Sequence, residues 1–133
     1  MKNKIIYIPI DKFKNIEKNI YNRNNIYVVE LDGRLIQSWN DYLKIIERKL
    51  EFPRSCEGNG NRYLDWIRDL TWLNYSGYVI IIMNYKEFIK NNITERNSII
   101  DLFQRIILPW WGYEVKEHVV GGKPKSFNVY LVE

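Results

Sequence analysis

Two carboxylates spaced four residues apart, Asp65 and Asp69, are the clearest candidates for chemistry in this chain. On a helix they would lie one turn apart, where two carboxylates can raise the pKa of one of them or hold a metal ion. Arg62 and Arg68 flank them and offer ion pairs instead. Because no histidine, nucleophile or glycine-rich phosphate loop accompanies them, we predict that the chain is not an enzyme and uses no cofactor.

Other residues that could bind a metal are isolated in the sequence. Cys56 is the single cysteine and His118 the single histidine, and neither has a second thiol or imidazole nearby. A zinc site therefore has no ligand set. An internal disulfide is impossible, which favours a reducing compartment. We interpret Cys56 as an ordinary small, half-buried residue rather than a reactive thiol.

The two carboxylates belong to a stretch, residues 52–73, in which a polar loop leads directly into a helical pattern. Asn59 or Asn61 is expected to cap that helix by accepting a hydrogen bond from a free backbone N–H group. Gly58 and Gly60 are expected to take a positive φ just before it. We regard this loop and helix as the part that the rest of the chain holds in place.

The predicted helix of this stretch has two distinct faces. Its apolar stripe consists of Tyr63, Trp66, Ile67, Leu70 and Leu73. Its polar face consists of Asn61, Arg62, Asp65, Arg68 and Asp69. From the residues alone, this polar face is either a solvated surface with intrahelical ion pairs or a binding surface centred on Asp65.

The stretch FPRSCEGNGNRYLDWIRDLTWL, with the apolar run GYVIII that follows it, resembles the loop, second helix and second strand of the barstar family. Members of that family inhibit barnase-type ribonucleases inside the cell. In a gapless alignment Pro53, Asn59 and Asp65 match the family proline, asparagine and second aspartate. The trailing Arg-Asp-Leu-x-Trp signature falls on residues 68–72. The resemblance covers residues 26–133.

Several positions depart from the family pattern. Ser55 and Cys56 stand where aromatic residues are usual, Glu57 replaces a glycine, and Asn61 replaces the first aspartate. A second alignment, slipped by one helical turn, puts Asp65 and Asp69 on both aspartates but needs an insertion. We prefer the gapless alignment, and the lost aromatic residues favour a cognate toxin that differs from the best-known ribonucleases.

The resemblance implies that the chain is an immunity protein or antitoxin that blocks the active site of a toxin ribonuclease. The carboxylate of Asp65 would imitate a substrate phosphate among the cationic donors of the ribonuclease. Expected contacts, by resemblance, are made by Asp65, Asn59, Asn61, Arg62, Asp69, Glu57 and Arg68. Of these, Asp69 would lie at the rim or pair with Arg62. The family's second acidic contact would fall on Asn97, next to Glu95.

Composition and charge constrain these readings. The 133 residues suffice for one compact core. Residues 1–25 carry six of the 20 basic and two of the 16 acidic residues, so positions 26–133 are neutral and long-range electrostatic steering should be weak.

No apolar run of about 18 residues could cross a membrane, and the start lacks a signal peptide. We predict a cytoplasmic protein, monomeric when free, with no membrane partner and no direct nucleic-acid partner.

Strand and helix patterns alternate along the chain. The predicted strands are 4–10, 26–31, 78–83 and 127–132. The predicted helices are 11–22, capped by Asp11, then 38–50, capped by Ser38, a short one at 85–89, and one that starts at Thr94 and ends before Pro109. This order predicts an α/β, barstar-like fold with a small parallel sheet of about three strands and helices packed around it. Residues 1–25 form a basic strand-helix extension before a barstar-like domain at 26–133.

An alternative is an RNA-binding module that uses the basic N-terminal extension and exposed aromatic residues. Trp110 and Trp111 could stack on bases, although an aromatic cluster that closes the core is the favoured interpretation. The lysines of residues 2–18 are interpreted as a solvated face. Neutral charge over 26–133 argues against nucleic acid.

Overall fold

The computed structural model describes residues 2–133, in which strands alternate with helices. Its strands are β1 (Ile5–Ile8), β2 (Ile26–Asp32), β3 (Gly77–Met83) and β4 (Ser126–Val132). Its α-helices are α1 (Ile10–Tyr21), α2 (Trp39–Lys49), α3 (Gly60–Ile67), α4 (Ile93–Leu102) and α5 (Val115–His118). Short 3₁₀ turns occupy Gly33–Leu35 and Tyr85–Glu87, the second of them inside the predicted short helix.

The strands form one all-parallel sheet in the order β1-β4-β3-β2. Central strand β3 is buried from Gly77 to Ile82, as its continuous apolar run predicts. The expected parallel α/β fold is confirmed, but the sheet has four strands rather than about three. The fourth is β1, whose Ile5 pairs with Val129 of β4. Pro9 follows this edge strand, where the absence of its N–H removes no hydrogen bond between strands.

Helices cover both faces of the sheet. On one face Ile80 and Ile82 join the larger core, which α2, α3 and the C-terminal helices complete. On the other face Val79 and Ile81 pack with Phe13 of α1. Residues 2–25 therefore supply an edge strand and a covering helix to the same sheet. The division of the chain into an extension at 1–25 and a domain at 26–133 stays a prediction.

Side-chain caps begin several of the helices. Ser38 accepts a hydrogen bond from the backbone of residue 41 at 3.0 Å, as predicted for α2. The cap of helix α4 lies two residues earlier than expected, because Asn92 rather than Thr94 provides it. Asp11 lies in the first turn of α1 instead of capping it, since the helix begins directly after Pro9.

The predicted end of a helix before Pro109 is wrong, because residues 93–118 are helical throughout. In an α-helix a proline lacks the N–H and crowds the carbonyl four residues before it. Wider π turns at Phe103–Ile107 and Trp110–Glu114 lie on either side of Pro109 and accommodate it. No helix within residues 2–133 combines the length and apolar character needed to cross a membrane.

Candidate protein-binding surface

Helix α3 begins at Asn59, one of the two asparagines predicted as its cap. The Asn59 side chain accepts the backbone N–H of Arg62 at 3.0 Å. Gly58 has a φ of 68°, as expected before the helix. Gly60 does not, and a Cβ there would lie 3.3 Å from the Trp39 ring, so this glycine permits close packing. Asn61 lies exposed in the first turn.

The loop before α3 is fastened to helix α2. One Glu47 oxygen accepts both the Ser55 hydroxyl and the Cys56 backbone N–H, each at 2.9 Å. Asn40 accepts the backbone N–H of Gly58 at 3.0 Å. The spacing of Asn40 and Glu47, two helical turns apart on one face of α2, is a signal that our sequence reasoning missed. These two residues position the loop.

Cys56 is more deeply buried than the half-buried position expected for it. Its side chain is fully enclosed in the core, and its thiol lies 3.8 Å from the Leu43 carbonyl oxygen, to which it donates. Burial, together with the neighbouring charge of Glu47, raises the pKa of the thiol to about 12. At neutral pH the group is therefore a protonated, unreactive thiol.

The exposed part of the site comprises Glu57 in the loop and, on α3, Asn61, Arg62 and Asp65; together with the cap Asn59 we call these residues the α3 surface. The Asp65 side chain is 75% exposed, and its one ion-pair partner within residues 2–133 is Arg68, at 3.5 Å. Arg62 donates to the Ser55 carbonyl at 3.0 Å. Glu57 lies 3.5 Å from the Lys44 ammonium and is half exposed. The loop and helix thus present a carboxylate to solvent on a fixed backbone.

Asp69 does not share a helical face with Asp65, because α3 ends at Ile67. Leu70 takes a left-handed backbone conformation, with a φ of 55°, which turns the chain and buries its side chain. Asp69 accepts the backbone N–H of Thr71 at 3.3 Å, and Arg62 is bonded to Ser55 instead of Asp69. The predicted helix through Leu73, the paired carboxylates and the Arg62–Asp69 pair are therefore wrong.

The far end of α3 is sealed by two tryptophans of the C-terminal helix. Trp111 is buried and donates its indole N–H to the Ile67 carbonyl at 3.0 Å. Trp110 donates to the Arg68 carbonyl at 2.8 Å. One neighbour of the Trp110 ring is the Arg68 guanidinium, 5.4 Å from its centroid, and another is the stacked His118 ring. The core-closing interpretation is confirmed, and neither tryptophan is the exposed stacking platform of the RNA-binding alternative.

The acidic residue of α4 considered as a second contact has a structural role. Glu95 accepts the backbone N–H of Trp39, at the start of α2, and the Asn92 side chain at 2.8 Å. Asn97 is exposed on α4. Asp101 is half exposed and pairs with Arg105 at 2.8 Å. The helix thus offers Asn97 and Asp101, rather than Glu95, to a partner.

The chemistry available at the α3 surface is recognition of cationic groups. Within residues 2–133, no group of three or more histidine, cysteine or acidic side chains is placed to hold a metal ion. The Asp65–Arg68 pair is solvated at its acidic end, so it contributes little and is easily exchanged for another cation. A carboxylate held in this way can accept several charge-assisted hydrogen bonds from a partner.

These features define a small α/β protein whose four-stranded parallel sheet and capped third helix present a polar surface to solvent. The family model described as Barstar (barnase inhibitor) matches residues 26–129. The chain belongs to the barstar family, a family of ribonuclease inhibitors rather than enzymes, and the resemblance stated from the residues is confirmed. A comparison with curated protein sequences found no match.

Proposed function

We propose that this chain is an intracellular immunity protein, or antitoxin, that binds and blocks the active site of a toxin ribonuclease through the α3 surface. The observation that carries the proposal is the Asp65 carboxylate, 75% exposed on a capped helix in a chain of the barstar family. A ribonuclease site that holds a phosphate is lined by cationic donors. Asp65 occupies the phosphate position and excludes the substrate directly.

A fixed loop lowers the cost of binding. Glu47 and Asn40 hold the segment from Ser55 to Gly58 before any partner arrives, so little conformational freedom is lost on association. Asn61 and Glu57 add polar contacts beside Asp65. Since Arg68 is the one charge that Asp65 meets in the described part of the chain, transfer of the carboxylate to a cationic site breaks only a weak ion pair.

The departures from the family pattern point to the kind of ribonuclease. Residues 26–133 are neutral overall, so association depends on local contacts and its rate changes little with salt. Ser55 is exposed and Cys56 buried, where the family pattern has aromatic residues. The cognate enzyme therefore has a surface that does not need those aromatic contacts.

The test is a titration of the chain into barnase and into any ribonuclease encoded by a gene next to that of this chain, with cleavage of a fluorescent RNA as the readout. Stoichiometric loss of cleavage is expected for the cognate enzyme, and weaker inhibition is expected for barnase. Asp65→Ala should weaken inhibition by at least about thirtyfold, because a desolvated charge pair loses one partner.

The matched control is Asp11→Ala, which removes an exposed carboxylate from α1, on the other face of the sheet. It should inhibit like the unsubstituted chain. Equal inhibition by Asp65→Ala and by this control would refute the assignment of Asp65. Unaltered cleavage of RNA by both ribonucleases, with no complex formed, would refute the proposed function.

A further inference from the structure

A groove of about 600 Å³ lies beside the α3 surface, between the turn that follows α3 and the loop at 119–125. Arg68 and Asp69 form its edge toward α3. Trp111 lies on its inner side, and Lys123 and Lys125 belong to the opposite wall. The groove is thus continuous with the end of the proposed ribonuclease-binding surface.

The groove carries an excess of positive charge. Its lining includes Arg68, Lys123 and Lys125 against a single carboxylate, that of Asp69. The Lys125 ammonium lies 5.7 Å from the Tyr78 ring centroid and 5.8 Å from that of Trp111. Burial lowers the pKa of Lys125. Neither lysine has an ion-pair partner within residues 2–133, so an incoming anion would supply a missing counter-charge.

The rest of the lining is apolar and partly open to solvent. Val115 and Trp111 are buried at its base. Val119 is 45% exposed, and Val120 is fully exposed at the tip of the loop. Such a patch next to a cationic wall is suited to a ligand that combines an apolar side chain with a carboxylate.

We propose that this groove receives an acidic-apolar segment of the partner protein, its carboxylates on Lys123 and Lys125 and its apolar side chain against Val119. Charge complementarity selects an acidic occupant. A nucleotide fits less well, because Trp111 is only 4% exposed and the Trp110 ring packs against His118 and Arg68, which leaves no open aromatic face for a base. The proposal rests on the proposed function, since the segment belongs to the ribonuclease that Asp65 binds.

The test uses an acetylated, amidated hexapeptide of alternating Glu and Leu as probe, followed in ¹H–¹⁵N spectra of the full chain. Saturable shifts are expected at the Trp111 indole N–H and at the amides of residues 119–123. Both Lys125→Gln and Lys123→Gln should weaken binding by about two- to fivefold. The matched control Lys12→Gln, on α1 at the other face of the sheet, should bind unchanged. Lys123 is exposed, so its variant stays informative if Lys125→Gln unfolds.

No saturable shift up to about 5 mM peptide, or equal binding by a peptide of alternating Lys and Leu, would overturn the groove proposal. Uridine 5′-monophosphate bound in the groove in place of the peptide would also overturn it. If the peptide does not bind but the chain still inhibits a ribonuclease in an Asp65-dependent way, only the groove proposal is refuted. If the peptide binds but both ribonucleases stay fully active, the chemistry of the groove is supported and the assignment of a ribonuclease as its partner is refuted.

Discussion

Glu47 on α2 accepts the backbone N–H of Cys56 at 2.9 Å and thereby joins the second helix to the loop that precedes α3. The same carboxylate oxygen accepts the Ser55 hydroxyl at 2.9 Å. One side chain therefore fixes two consecutive residues of a segment without regular secondary structure. The orientation of the α3 surface depends on this attachment as much as on the helix itself.

Glu47→Ala should release this loop. The Cys56 N–H would lose its partner in a partly buried position, which costs about 1–3 kcal/mol in the free energy of unfolding. Urea denaturation measures that loss. The exposed residue Glu117, changed to Ala, is the control and should leave the unfolding midpoint unchanged. Equal stability of the two variants would show that the loop does not depend on Glu47.

The start of α3 is predictable from the sequence, whereas its end is not. The Ser38 cap is predictable, and the α3 cap is predictable to within Asn59 and Asn61, because capping is local and depends on a few neighbouring residues. The end of α3 was missed because Leu70 continues the helical apolar spacing. Its left-handed conformation, with a φ of 55°, reflects burial of its side chain in the core, which periodicity does not encode.

The pairing of strands that are distant in the chain is also not predictable from the sequence. The sequence between Lys4 and Ile10 indicates a strand, but the pairing of β1 with β4 joins residues more than a hundred positions apart. Helicity through Pro109 was missed because the π turns on either side depend on the packing of Trp110 and Trp111 onto α3. The sequence predicts the polar face of α3 as far as Asp65. The role of Asn40 and Glu47 in holding the loop follows only from the contacts of α2 in the structure.

The hydroxyls of Tyr42 and Tyr63 form a hydrogen bond of 2.6 Å in the core, where both residues are fully buried. Tyr42→Phe leaves the other hydroxyl without this partner and should cost about 1–3 kcal/mol in the free energy of unfolding. The double change to Phe should cost less than the sum of the single changes. A double-mutant cycle in urea tests this. Additive losses would show that the two hydroxyls do not interact.

Burial raises the pKa of both tyrosines of this pair above their ordinary value of 10.0. A tyrosine whose pKa is raised in the folded state stabilises the protein at pH values below its pKa in the unfolded state. This stability is lost as the pH rises above that unfolded-state pKa. The chain should therefore unfold at lower urea concentrations as the pH rises above about 10. A double Phe variant should lose less stability over the same interval. An identical alkaline decline in both proteins would exclude the tyrosine pair as its source.

Cys56 should be resistant to alkylation in the folded chain. Its pKa is raised to about 12, chiefly by burial, so almost none of the thiol is ionised at pH 8. We expect iodoacetamide to label Cys56 slowly in buffer and rapidly in denaturing urea. Mass spectrometry follows the reaction. Rapid labelling of the folded protein would contradict the enclosed position of this residue.

Asp32 at the end of β2 should contribute to stability in mild acid. Hydrogen bonds from the Arg34 side chain, the nearest at 2.8 Å, and a bond from Asn84 lower the pKa of Asp32 to about 2. A lowered pKa gives stability that is present above the unfolded value of 3.8 and lost as the pH falls toward 2. Asp32→Asn should flatten this part of the stability profile. Parallel acid profiles for the two proteins would contradict the assignment.

Competition at the ribonuclease active site tests the role of Asp65 most directly. Binding of the chain to the inhibited ribonuclease is measured by calorimetry at increasing concentrations of a nucleoside 3′-monophosphate, which occupies the phosphate position. If the Asp65 carboxylate takes that position, the apparent Kd rises in proportion to nucleotide concentration once the site is saturated. An unchanged Kd on a nucleotide-saturated ribonuclease would place the chain away from the active site and contradict phosphate replacement by Asp65.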